Sequence, residues 1–190
     1  MRVAGLMLAG ALLAACGTTQ PANPDAGHLN VAVRALHEGQ VVDSVPCLQA
    51  DLPEHHTHVH VGVYVDGSAV KVPAGIGVGK PWGFDNTGFL TNGSCFAWLH
   101  THDTTGVIHI ATPGSTAFTL GQLFQVWGQP LSTAGAFDYK GTLAVLVKGR
   151  RNDGDPTAIA LTPLENIVLE LGTPPATPPP SLYDFGSLQK

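Results

Sequence analysis

The stretch that most constrains this chain is residues 58–65, His-Val-His-Val-Gly-Val-Tyr-Val, which Asp66-Gly67 closes before a second extended run over residues 69–73. Valine at every other position is the period of a strand with one buried face. Asp-Gly between two such runs favours the positive φ values of a tight hairpin turn. A lone hairpin is marginal in water and leaves backbone groups unpaired, so further strands must join it. Residues 107–111, 143–148 and 167–171 supply them. Between these, Thr119 and Gln122 have the spacing of a capping box, and Leu120, Leu123, Phe124 and Trp127 recur at helical spacing. Gly128 and Pro130 then stop the helix. The expected class is α+β, mainly antiparallel β with one short helix. The order of elements suits a β-grasp-like topology with residues 75–97 inserted, and it suits an irregular β-sandwich nearly as well.

The amino terminus has a different character. Arg2, an apolar run over residues 3–13 and the small residues Ala14 and Ala15 have the layout of a signal peptide. The run is too short for a membrane span, which takes about 20 apolar residues. Leu13-Ala14-Ala15-Cys16-Gly17 has the form of a bacterial lipobox, in which the cysteine receives a diacylglycerol and becomes the new amino terminus. The expectation is a protein of the bacterial cell envelope, anchored to a membrane through lipid on Cys16 and extracytoplasmic beyond it. An ordinary secretory signal cut near Ala15 is the alternative. Residues 1–15 are then the signal peptide, 16–27 a small, polar and proline-bearing tether, 28–172 a single β-rich domain and 173–190 a Pro-rich C-terminal tail. Five prolines in residues 172–180 leave that tail little to bury.

Loss of the signal removes Arg2 and no acid from a chain of net charge −5, so the remainder is more acidic still and ill suited to nucleic acid. It also removes Met1 and Met7, the only methionines. With Cys16 taken by lipid, Cys47 and Cys95 remain, and an even pair in an oxidising compartment is expected to form a disulfide. Thiolate ligation of a metal is the less favoured use of the pair.

The chemistry of the chain lies in its nine histidines. His55, His56, His58 and His60 fall in one short segment, and His100, His102 and His109 in another. On a strand His56, His58 and His60 share a face at about 7 Å per step, and His100 and His102 repeat the spacing. Imidazoles two residues apart, completed by a third from a neighbouring strand, are a plausible shell for one ion. Pairing of the strands bearing His58 and His109 would bring the clusters into one site. The candidate ligands are His56, His58, His60, His100, His102 and His109. His55 is expected to point away from their face, and His28 and His37 to be ordinary surface residues. Asp103 is expected to orient an imidazole or to cap its Asp-Thr-Thr-Gly turn, ahead of ligating directly. Imidazole donors without methionine suit zinc or copper(II). The expected function is therefore binding of a divalent transition metal. Alternatives are a zinc-dependent hydrolase or hydratase using three histidines and a metal-bound water, and a structural surface lipoprotein whose histidines form a polar network.

The motifs from His56 to Gly67 and over residues 72–77 resemble those of a group of uncharacterised bacterial exported proteins. So do Cys95-Phe-Ala-Trp-Leu-His100-Thr-His102-Asp-Thr-Thr-Gly-Val-Ile-His109-Ile, residues 118–122 and residues 126–131. The likeness covers residues 55–150 and implies kinship without an activity. Members of that group often carry Glu-Ser where this chain has Ala111-Thr112, so any role of that glutamate is missing here.

Overall fold

The structure, a computed structural model, describes residues 29–49 and 55–189. The expected signal peptide, Cys16, the tether and His28 lie outside the described residues. Seven strands form the main sheet: β1 (His55–Val65), β2 (Ser68–Val70), β3 (Leu99–His100), β4 (Val107–Thr112), β5 (Leu143–Val147), β6 (Arg150–Asn152) and β7 (Asn166–Leu171). Their order is β6-β5-β7-β1-β4-β3, with β2 also on β1. Every pair is antiparallel except β7 against β1. The result is the α+β, irregular and mainly antiparallel architecture that the sequence suggests.

β1 organises the sheet because of its length. One edge carries β4 along His55 to His60 and β2 along Val63 to Val65, and the other carries β7. Asp66 and Gly67 take φ of 45° and 82°, the left-handed pair that closes a tight hairpin. The returning strand is only three residues, shorter than the run over 69–73, because Val72 leaves the ladder to enter the core.

Alternation then separates two faces. Val59, Val61, Val63 and Val65 are buried with Ile108, Ile110, Ile167, Leu169 and Leu171 in the main core. Each such side chain contributes about 1.5–3 kcal/mol relative to exposure. Helix α1 (Leu120–Trp127) adds Leu120, Leu123, Phe124 and Trp127 to the same core. Thr119 and Gln122 form the expected capping box, and Gly128 ends the helix at φ 82°. Among the described residues no helix is long and apolar enough to cross a membrane.

The other face carries the histidines, and two peripheral segments cover it. The first is the inserted region, which holds Gly83–Phe84, Leu90–Asn92 and Phe96–Ala97. Phe96–Ala97 pairs with Val45–Leu48, and the Cys47–Cys95 disulfide joins the same two segments at a Cα separation of 5.4 Å. The second is the C-terminal segment, which packs more than its prolines suggest. Tyr183 stacks on His60 at 3.9 Å between ring centroids, Pro180 accepts a hydrogen bond from Asn166, and Phe185 is buried. Aromatic residues placed after the proline run supply the apolar contact that the run lacks.

Candidate metal centre

Strand register places the histidines. His58 and His109 are directly opposed between β1 and β4, and His109 and His100 between β4 and β3. The three therefore form a row across adjacent strands on one face. His56, two residues before His58, lies beside the row with its Nε2 2.8 Å from His109 Nδ1. His102, just beyond β3, closes the other end with its Nε2 3.0 Å from His100 Nε2. Two triads result, His56-His58-His109 and His100-His102-His109, and within each the candidate ligand nitrogens lie within 4.8 Å of one another. The two sequence clusters meet on one face, with His109 common to both triads.

Backbone carbonyls fix three of these rings. His58 Nδ1 donates to Leu188 at 2.9 Å, His100 Nδ1 donates to Ala97 at 2.8 Å, and His102 Nδ1 donates to Leu90. A carbonyl only accepts, so the proton of each neutral ring sits on Nδ1 and Nε2 is the ring's acceptor atom. This is the arrangement by which proteins orient metal-binding imidazoles. At His100 and His102 the two Nε2 atoms converge, and a junction of two lone pairs attracts a cation. At His58 the Nε2 is buried and has no hydrogen-bonding partner among the described residues. Such an orphan is rare in a folded protein and calls for a ligand.

Burial sets the electrostatics. His100, His102, His58 and His109 are 0, 7, 5 and 5% exposed, while His56 is only half-buried. Burial first and His56 second push His58 down to about 4. Burial also holds His109 far below the ordinary imidazole value, with His100 and His102 next in effect. Both are thereby kept in the neutral form that ligates metals. Phe89 stacks on His102 at 4.5 Å between centroids, and Phe96 lies 5.4 Å from His100, so one end of the group is roofed by aromatic rings.

His60 shares the face but belongs to neither triad. Its Nδ1 lies 2.7 Å from Asn166 Oδ1 and its Nε2 donates to Thr105 at 3.1 Å, which commits both nitrogens. The parallel register puts Asn166 opposite His60, and nothing in the sequence marks that pairing. Burial lowers the His60 pKa, and the bonds to Asn166 and Thr105 oppose the shift. Asp103 accepts from the backbone N–H and hydroxyl of Thr105, so it caps its turn, and it belongs to neither triad. His55 is exposed and faces a roughly 470 Å³ cavity on the opposite side of the sheet, beside Thr57, Ile110 and Phe118. His37 is an exposed surface residue. What the sequence does not reveal are the orienting groups, the carbonyls of Leu90, Ala97 and Leu188. Backbone carbonyls have no residue signature, and only Cys95 beside Ala97 hints at a fixed loop.

Comparison of this chain with family models, curated proteins and solved structures gives no match.

Proposed function

We infer that this chain binds a divalent transition metal through His56, His58, His100, His102 and His109. One observation carries the reading: carbonyls accept from Nδ1 of three buried imidazoles that belong to two triads of candidate ligand nitrogens within 4.8 Å of one another, and the buried Nε2 of His58 has no hydrogen-bonding partner among the described residues. A purely structural network would pair each ring nitrogen with a protein donor or acceptor. The donors are nitrogens of intermediate softness, and Cys47 and Cys95 are tied in the disulfide, which favours zinc or copper(II) over copper(I). Zinc in such a set takes nitrogen ligands at about 2.0–2.1 Å and prefers four of them. Binding is favoured over hydrolysis because Asp103, the acid nearest the cluster in sequence, is engaged by its own turn and offers no base.

The disulfide fits an oxidising compartment, in keeping with export. Together with the lipobox it supports the reading of a lipoprotein of the bacterial cell envelope, anchored at Cys16 and related to the exported group whose motifs it shares. Elemental analysis of the full chain, produced without an affinity tag, tests the metal reading. Zinc or copper in stoichiometric amount is the expected result, and protein that neither retains nor takes up either metal would overturn it. Incorporation of labelled fatty acid, abolished by Cys16→Ala, tests the anchor.

A further inference from the structure

Five imidazoles are more than one tetrahedral ion requires. Zinc sites of this type hold four ligands, and an ion with ligands at about 2.1 Å spans no more than about 4.2 Å between opposite nitrogens. Here the donors fall into two triads that share one residue, and an imidazole has two nitrogens on different edges of its ring. His109 sits in the middle strand, directly opposed to His58 on one side and to His100 on the other. Its Nδ1 is turned to the first triad, 2.8 Å from His56 Nε2. Its ring also lies 4.5 Å from His102 and 5.4 Å from His100 between centroids.

We propose that the five histidines hold two divalent transition-metal ions bridged by the His109 ring, an outer ion with His56 and His58 and an inner ion with His100 and His102. This rests on the metal-binding reading and adds to it the number of ions and their connection. Bridging requires His109 to act as an imidazolate, so binding of the second ion displaces the remaining ring proton of His109 to bulk water. Two cations on either side of the ring stabilise that anion. The sites are unequal. The inner triad is wholly buried beneath Phe89 and Phe96, whereas the outer triad reaches solvent through half-buried His56. The outer ion, held in part by half-buried His56, should therefore exchange faster than the inner one.

The test is titration of the untagged, demetallated full chain with zinc against a chromophoric chelator, followed by electron paramagnetic resonance of the protein loaded with copper(II). Two equivalents of zinc are expected. The copper-loaded form should show an integrated signal well below two spins per chain, because an imidazolate couples the two ions. His58→Ala and His102→Ala should each keep one equivalent, and the isolated copper left behind should regain its full signal. A single equivalent in the unaltered chain would overturn the two-ion inference and leave the metal-binding reading standing. No binding at all would overturn both. Two equivalents with a full two-spin signal would overturn the bridge. Since the stoichiometry and the spin count are read on the unaltered chain, a variant that fails to fold does not rescue the proposal.

Discussion

Removal of the Cys47–Cys95 bridge separates what holds the fold from what arranges the histidines. The bridge closes a loop with a sequence separation of 48, for which chain entropy gives a stabilisation of about 4 kcal/mol. In a domain of this size each kcal/mol moves the melting midpoint by about 2–4 °C, so the reduced protein should melt about 8–16 °C lower. The mechanism lies mainly in the unfolded chain, which gains freedom when the bridge opens. In the folded chain the neighbouring ladder between Val45–Leu48 and Phe96–Ala97 persists, as does the hydrogen bond from His100 to Ala97. Urea unfolding of metal-free protein, oxidised and reduced, measures the first quantity. Zinc affinity of the folded Cys47→Ala/Cys95→Ala variant measures the second, and it should stay within about threefold of the parent, well under the tenfold step that 1.4 kcal/mol represents. A stability change below about 1 kcal/mol, or a tenfold loss of affinity in a variant that still folds, would refute this reasoning.

Stability of the metal-free protein should depend on pH through the buried histidines. In the unfolded chain His58 titrates near 6.5 and in the folded chain near 4, so the unfolded state binds more protons between those values. Stability is then complete above 6.5 and falls as pH drops toward about 4, by up to about 1.4 kcal/mol per pH unit for each such histidine. A flat urea midpoint across that window would contradict the burial of His58. His60→Ala should leave the number of bound metal ions unchanged while speeding amide exchange around Tyr183, which loses its stacking partner; loss of an ion would make His60 a ligand after all. Gly77→Ala should destabilise by at least about 2 kcal/mol in urea unfolding. Residue 77 has φ of +69°, and an added Cβ would collide with the Leu99 carbonyl on the strand that presents His100.

Much of this centre follows from periodicity. Valines at alternate positions of β1 bury one face and so compel His56, His58 and His60 onto the other, and the β1–β4 pairing then opposes His58 to His109. The capping box at Thr119 and the turn at Asp66 are equally local and equally readable. What escapes such reading depends on contacts distant in sequence. The parallel placement of β7 against β1 brings Asn166 to His60 and removes that histidine from the donor set, although its spacing is as good as that of its neighbours. The docking of the C-terminal segment rests on a few aromatic residues following prolines, a composition that carries no periodic signal. The carbonyls that select the ring tautomers are set by tertiary structure alone.

The hydrogen bond from His58 to Leu188 spans 130 positions, and this gives the centre a history as well as a geometry. In a chain that folds as it emerges amino end first from the membrane, β1, β3 and β4 can pair once residue 112 is out, and the carbonyls of Leu90 and Ala97 are by then already present to set His102 and His100. His58 must wait for its acceptor until nearly the whole chain has followed. The buried half of the centre is thus complete while the solvent-facing half is still unset. The histidines of the two halves would therefore be set in that order during emergence, His100 and His102 before the C-terminal segment arrives and His58 only after it has docked.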